Sequence, residues 1–380
     1  MIDNQTDIYL DNCATTQPYP EVIEKIVEML IDDFGNPSSL HSKGFKAKDM
    51  LEASRQTIAD ALEVKSEEIF FTSGGTEANN IAILGLASGR EPGHIVSSAV
   101  EHPSVHKTLR HLAKQDWQID YISIRGGNLD METAREIITP DTFLASVMLV
   151  NNETGTILPV REIKRIIEEQ APSSILHCDA VQGFGQVQFT ADDLGADLIS
   201  ISGHKVHGPK GVGALYVREG TELNRRIFGG DQEKGLRSGT EAMPLIAGFA
   251  EAVRITMLRQ QRAVLHMSEL KEYAFDLIAQ AFPDVHINSS MQGAPHIISF
   301  SLPGLNNLEA AKYLSDNGIC ISTAAACKSN HSRGPSVLMK FGLSAEMADS
   351  TLRIGLCGDN TKEELDEVVM YLTRYRQGDF

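Results

Sequence analysis

A lysine, an aspartate, a histidine and a glycine-rich turn each stand where a short apolar run ends in this 380-residue chain. Lys205 follows the run Asp197 to Ser202 and sits in the stretch SGHKVHGPKGVG. An amine at the C-terminal end of a buried strand is partly desolvated, which lowers its pKa, and it faces the rim where open α/β sheets bind ligands. Those conditions suit a lysine that forms a Schiff base. A solvated lysine in an ordinary loop is the plain alternative, and the neighbouring residues decide between the two.

Asp179 ends the apolar run ILHC, where a carboxylate is costly unless it meets a cation or a donor. A protonated heteroaromatic nitrogen would satisfy it, as would a helix N-terminus or an arginine. His102, in EHPSV, is either a structural histidine or a ring that stacks on a planar ligand and moves protons near neutral pH. SGGTEANN leads from Phe71 and Thr72 into a helix, so the backbone N–H groups of Gly75 and Thr76, the Thr76 hydroxyl and the helix dipole could hold a phosphate. The same letters also make an ordinary capped turn. Together, an amine nucleophile, an acid for a pyridinium, an anion cradle and a histidine meet the requirements of pyridoxal phosphate.

The elements that must position these groups follow from the hydrophobic pattern. Helices are predicted at Pro20 to Phe34 and about Gly44 to Leu62, and strands at Glu68 to Thr72, His94 to Ser98, Phe143 to Val150, Ile175 to Cys178, Leu198 to Ser202 and Gly213 to Val217. Alternation of strands and helices argues for an α/β fold with a mostly parallel sheet covered on both faces. SGGTEANN, EHPSV, NNETG, Asp179 and the Ser202 to Lys205 turn then converge on one rim. After about Ala250 a charged helical stretch, HIISFSL, LEAAKYLSDNG, CISTA and a closing helix from Thr361 predict a smaller α+β domain joined by the segment around Ile8 to Leu10. The expected division is 16–255 for the large domain and 1–15 with 256–380 for the small one.

Composition narrows the function classes. A formal charge of −17, without long like-charge blocks, disfavours direct binding to nucleic acid or an anionic membrane. No secretory pattern opens the chain and no uncharged apolar run reaches spanning length, so a cytoplasmic enzyme is expected. Cys13, Cys178, Cys320, Cys327 and Cys357 form neither a disulfide framework nor CxxC pairs and read as reduced thiols. Cys320, Cys327 and His331 fit no common zinc spacing, so no metal is expected.

The motifs YLDNCATT, FGNPSSLH, FTSGGTEANN, EHPSV, VNNETG, HCDAVQ, SGHKVHGPKGVGALYV, RSGTE and TLRIGL occur in an order that resembles the cysteine desulfurases of the NifS/IscS type, in the class V aminotransferase group of fold-type I pyridoxal-phosphate enzymes. The resemblance implies Lys205 as the Schiff-base lysine, Asp179 on the pyridine nitrogen, Gln182 on the phenolic oxygen and His102 stacked on the ring and managing the substrate thiol proton. It places Asn152 beside cofactor and substrate, and Thr76, Ser202 and His204 on the phosphate with the backbone of Gly75. Thr240 would reach the phosphate of a partner subunit, implying a homodimer, and Arg353 would grip the carboxylate of L-cysteine.

Cys327, in STAAACKSNHSRGPS, separates a desulfurase from an aminotransferase or lyase that needs no thiol, or from a non-enzymatic sulfur relay. It would carry a persulfide to an acceptor protein serving iron–sulfur assembly, tRNA thiolation or DNA phosphorothioation. AAAC stands where the family more often has SGSAC, and the long stretch before Pro335 resembles the long-loop group.

Overall fold

The runs HIVSS at 94–98, LISIS at 198–202 and GALYV at 213–217 are buried at every residue, so neither face of these strands meets water. Such runs form the centre of a sheet covered on both sides. The computed structural model describes residues 7–323 and 336–378. The chain begins with β1 (Ile8–Tyr9), α1 (Pro20–Ile31) and α2 (Ser42–Leu62), then alternates through β2 (Ile69–Thr72), α3 (Gly75–Ala87), β3 (His94–Ser98), α4 (Pro103–Ala113) and β4 (Gln118–Ile122). A small hairpin, β5 (Ile124–Arg125) and β6 (Asn128–Leu129), leads to α5 (Met131–Ile137), β7 (Thr142–Ser146), α6 (Val160–Gln170), β8 (Ile175–Asp179), α7 (Ala191–Leu194), β9 (Leu198–Ser202) and β10 (Gly213–Val217).

The long α8 (Met243–Ala281) is followed by β11 (His286–Ile287), β12 (Ile297–Ser301), α9 (Asn307–Asp316), β13 (Ile319–Cys320) and β14 (Ser322–Thr323). Past residue 335 come α10 (Val337–Lys340), α11 (Ala345–Asp349), β15 (Thr351–Gly355) and α12 (Lys362–Gln377).

The main sheet has the order β2-β10-β9-β8-β7-β3-β4. β10 runs antiparallel to both neighbours and the other six strands share one direction, so the ends of β2, β3, β7, β8 and β9 deliver their following loops to one rim. This is the predicted α/β architecture, with the rim where the polar motifs require it. A second, antiparallel sheet has the order β11-β12-β15-β14, and β1 pairs in parallel with β13. Leu10 packs in the second core with Ile298, Phe300 and Leu352. The helix α8 spans the division expected at 255/256: Ile246, Phe249 and Val253 belong to the core around the main sheet, and Met267, Leu270 and Ile278 to the second.

Several predicted boundaries shift. The first helix stops at Ile31 and leaves Phe34 exposed. The strand expected to reach Val150 ends at Ser146, although Val147 and Leu149 still donate to the carbonyls of His177 and Asp179. The edge strand β4 was not predicted: QIDYI is only partly buried, and a strand with one open side need not be uniformly apolar.

A buried ion pair ties the loop after β10 to the start of the main sheet. Arg55 donates from Nη1 and Nη2 to the Glu233 carboxylate at 2.7 and 2.9 Å and from Nη1 to the Ile69 carbonyl, while Glu233 also accepts the Phe71 N–H at 2.8 Å. Removing one partner of a buried pair strands the other charge. Glu233→Ala should lower unfolding free energy by about 3–5 kcal/mol in urea titration. A loss below about 1 kcal/mol would show that the pair is solvated in solution.

Candidate active site

The rim loops enclose a cavity of about 600 Å³ whose lining includes Gly75, Thr76, His102, Asn152, Asp179, Gln182, Ser202, His204, Lys205 and Arg353. Ten of the twelve residues predicted for the site therefore meet in one place. Thr240 is exposed and does not line the cavity of its own chain. Cys327 lies outside the described residues, whereas Ser322 and Thr323 of β14 form part of the wall.

Lys205 closes the one-turn helix that follows β9. Its Nζ donates to the carbonyl of Cys13 at 2.5 Å and of Ala14 at 2.8 Å. Burial, reinforced by the nearby Arg353 guanidinium, pulls its pKa down to about 8. The Cys13 carbonyl also accepts from Gln182 Nε2 at 2.8 Å, which fixes the amide beside the lysine. His296 Nε2 lies 3.4 Å from Gln182 Oε1, behind the site, and burial drives its pKa down to about 3.

Asp179 ends β8 with its carboxylate buried. Oδ1 accepts the Val181 N–H at 3.1 Å and Oδ2 accepts Asn79 Nδ2 at 2.7 Å. Among the described residues no lysine or arginine forms an ion pair with it, so the wall presents a buried carboxylate hydrogen-bonded by neutral donors. Glu101 is fully buried nearby, and burial raises its pKa to about 8. Its Oε1 accepts from Ser98 Oγ and the Met148 N–H at 2.5 and 2.7 Å.

Another part of the cavity wall is built for an anion. α3 begins at Gly75, and Gly74 has φ +144°, a backbone that favours glycine. A Cβ at Gly75 would meet Val181 Cγ2 at 2.5 Å, so the chain is kept thin where the helix N-terminus faces the cavity. Thr76, Ser202 and His204 add side-chain donors to the wall. His204 bonds Thr15 Oγ1 at 3.3 Å, and burial, with Lys205 and Lys210, pulls its pKa down to about 4.

Arg353 comes from β15, in the other sheet. Its Nη1 donates to the Asn152 carbonyl at 2.7 Å and its Nη2 pairs with Asp11 Oδ1 at 3.1 Å, while the buried Nε has no partner among the described residues. Sequence reasoning missed Asp11, the Cys13 carbonyl, Asn79, Ser104, Glu101 and His296. Asp11, Asn79, Glu101 and Ser104 stood inside quoted motifs, and a polar residue within a run of otherwise assigned ones was the available signal.

These residues fit pyridoxal phosphate. A depressed amine, a buried carboxylate without a cation, an amide beside the amine and a glycine-thinned helix N-terminus match its aldehyde, pyridinium nitrogen, phenolic oxygen and phosphate.

Known proteins agree. The aminotransferase class-V family model matches residues 8–368. A cysteine desulfurase IscS of Dictyoglomus turgidum is 37% identical over 97% of this chain and 94% of its own. Among solved structures, a NifS-like protein superposes with a TM-score of 0.92 at 33% identity, covering 98% of this chain and 100% of that one. SspA in complex with cysteine gives 0.79 at 34%, covering 93% and 100%. No helix among the described residues is long and apolar enough to cross a membrane, and no group of three or more His, Cys, Asp or Glu among them is placed to hold a metal. With the family match running from β1 into α12, the chain belongs to the class V aminotransferase family and, within it, to the pyridoxal-phosphate-dependent cysteine desulfurases of the NifS/IscS type.

Proposed function

We propose that the chain removes sulfur from L-cysteine, releases alanine and loads the sulfur on Cys327 for delivery to an acceptor protein. The observation that carries this reading is the desolvated Lys205 amine facing the same cavity as the uncompensated Asp179 carboxylate. When bound, pyridoxal phosphate supplies the electron sink for chemistry at the substrate's Cα–H and C–S bonds.

The chain's own groups then divide the work. Lys205 Nζ holds the cofactor, and with a pKa near 8 it is basic enough, yet sufficiently unprotonated near neutral pH, to move the Cα proton. Asp179 keeps a proton on the ring nitrogen, Gln182 holds the phenolic oxygen, and Gly75, Thr76, Ser202 and His204 take the phosphate. Arg353, oriented by Asp11, binds the substrate carboxylate beside Asn152. His102 covers the ring.

Cys327 follows the wall residue Thr323 by four positions, a span of at most about 14 Å of extended chain. Its thiolate would attack the substrate sulfur, forming an S–S bond as the C–S bond breaks. Residues 16–255 act as the cofactor-binding domain, and 1–15 with 256–380 as the domain that brings Arg353 and Cys327.

The proposal includes a homodimer. Ile23, Val27, Leu30 and Ile31 form an exposed apolar stripe on α1, continued by exposed Phe34 and Leu40. Burying that stripe against a second copy would account for it, and Thr240 is accessible to a partner's cavity. Mixing Lys205→Ala with Thr240→Ala chains should then restore activity above either variant alone, because one heterodimer site regains both residues. A mixture no more active than its parts would refute the shared site.

Cys327→Ala should keep the visible absorbance of the bound cofactor while alanine and sulfide formation fall by orders of magnitude. Turnover at the wild-type rate would remove Cys327 from the mechanism. In cofactor-free protein, acetylation of Lys205 followed by mass spectrometry should rise through about pH 8 and then level off, because a lowered pKa frees the amine at lower pH than in an exposed lysine. A rise continuing to about pH 10 would contradict the desolvated amine.

A further inference from the structure

The wall between Asp179 and His102 contains two polar side chains to which neither the family motifs nor the proposed mechanism gives a role. Asn79, on α3, and Ser104, at the start of α4, are both buried. Asn79 Nδ2 lies 2.7 Å from Asp179 Oδ2 and 2.8 Å from Ser104 Oγ, and Ser104 Oγ lies 2.7 Å from His102 Nδ1. The four side chains form one continuous line of hydrogen bonds.

The directions in that line are set at its two ends, the Asp179 carboxylate and the N-cap of α4. An ionised carboxylate only accepts, so Asn79 must turn its NH₂ toward Asp179, and its second hydrogen then points at Ser104 Oγ. With its oxygen accepting from Asn79, the Ser104 hydroxyl has its own proton left for His102 Nδ1. A second donor makes the same demand: the backbone N–H of Ser104 points at His102 Nδ1 at 3.2 Å, with His102 as the N-cap of α4. Two donors on Nδ1 leave Nε2 as the nitrogen that carries the proton.

We infer that Asn79 and Ser104 are positioning residues that lock His102 as the neutral Nε2–H tautomer, so that the ring meets cofactor and substrate as a flat face and a hydrogen-bond donor, not as a base. Protonating Nδ1 would cost the Ser104 N–H bond, turn the Ser104 hydroxyl proton away from the ring and place a cation at the positive end of a helix. Burial is the largest influence on the ring and lowers its pKa; of the charged groups around it, Asp179 on β8 favours a cation, while Lys205 and Lys107 act with burial against one. A proton leaving the substrate therefore goes to Lys205, and His102 offers a hydrogen bond from Nε2 in place of the thiol-proton role that the family resemblance implied. That consequence rests on the proposed place of His102 over the ring; the tautomer does not.

Long-range ¹H–¹⁵N correlation on ¹⁵N-histidine-labelled holoenzyme and on its cofactor-free form tests this, with His102→Gln identifying the signal. From about pH 6 to about pH 9 the ring should show a protonated Nε2 and an unprotonated Nδ1, without titrating. Ser104→Ala should give a mixed or titrating ring in that range, and Ser104→Thr should restore the single form. An Nδ1–H ring or an imidazolium in the wild type would overturn the inference, as would an unchanged signal in Ser104→Ala; if Ser104→Ala does not fold, the wild-type spectrum decides. A locked tautomer in an enzyme indifferent to Cys327→Ala would sink the proposed sulfur transfer and leave the lock standing.

Discussion

The carbonyl of Cys13 is the point on which the site depends. It accepts from Lys205 Nζ and from Gln182 Nε2, two groups on different loops of the main sheet, while its own segment is bonded to the other sheet. Asn12 donates from its backbone N–H and from Nδ2 to the Gly355 carbonyl, and Gly355 returns its N–H to Leu10. A Cβ at Gly355 would lie 2.5 Å from the Cys13 nitrogen, so this crossing works only with glycine. Thr16 completes the seam by donating to the His204 carbonyl and accepting the His207 N–H. Seven residues, with a turn at Asn12–Ala14, thus hold the amine, the amide and the second sheet in one frame.

Electrostatics inside that frame are arranged by withholding charge. His204, His296 and His102 are all pushed toward the neutral ring by burial, and Lys205 is drawn down toward neutrality. Glu101 is pushed the other way, toward the neutral acid, and the negative charge of Asp179 contributes to that rise. Like charges in a buried site repel, so the shift of Glu101 toward its neutral form weakens the repulsion that a second carboxylate would bring to this wall. A site with few net charges of its own interacts strongly with those a ligand brings, because little solvent remains to screen them.

The sheet and its rim were legible in the sequence because each strand is a short apolar run and each following loop breaks into polar letters. Lys205, Asp179, His102 and the SGGTE turn could be placed by that grammar alone, and the wider motif order added Gln182, Asn152 and Arg353. The Cys13 carbonyl could not be found in this way, since every residue offers a carbonyl and only the tertiary fold says which one meets an amine. Asn79 and Ser104 were hidden for a related reason: they bond one another across two helices, α3 and α4, that no local pattern brings together. β4 escaped because an edge strand is free to be polar.

The placement of Arg353 shows what the second core contributes. The amine and the buried aspartate belong to the main sheet, while the guanidinium belongs to β15, so the distance between a substrate's Cα and its carboxylate is measured across two separately packed cores. Two links set that distance: the seam at residues 10–16, and α8, whose first half packs on one core and second half on the other. Asp11 lies on the seam itself and orients Arg353 by an ion pair at 3.1 Å, one position from the Asn12 bonds to Gly355. The strand bearing the guanidinium, the acid that aims it and the carbonyl beneath the lysine are therefore parts of one mechanical unit. A displacement of the second sheet would carry Arg353 and the Lys205 acceptor together, so the cores preserve the spacing between carboxylate grip and base only while the seam is intact.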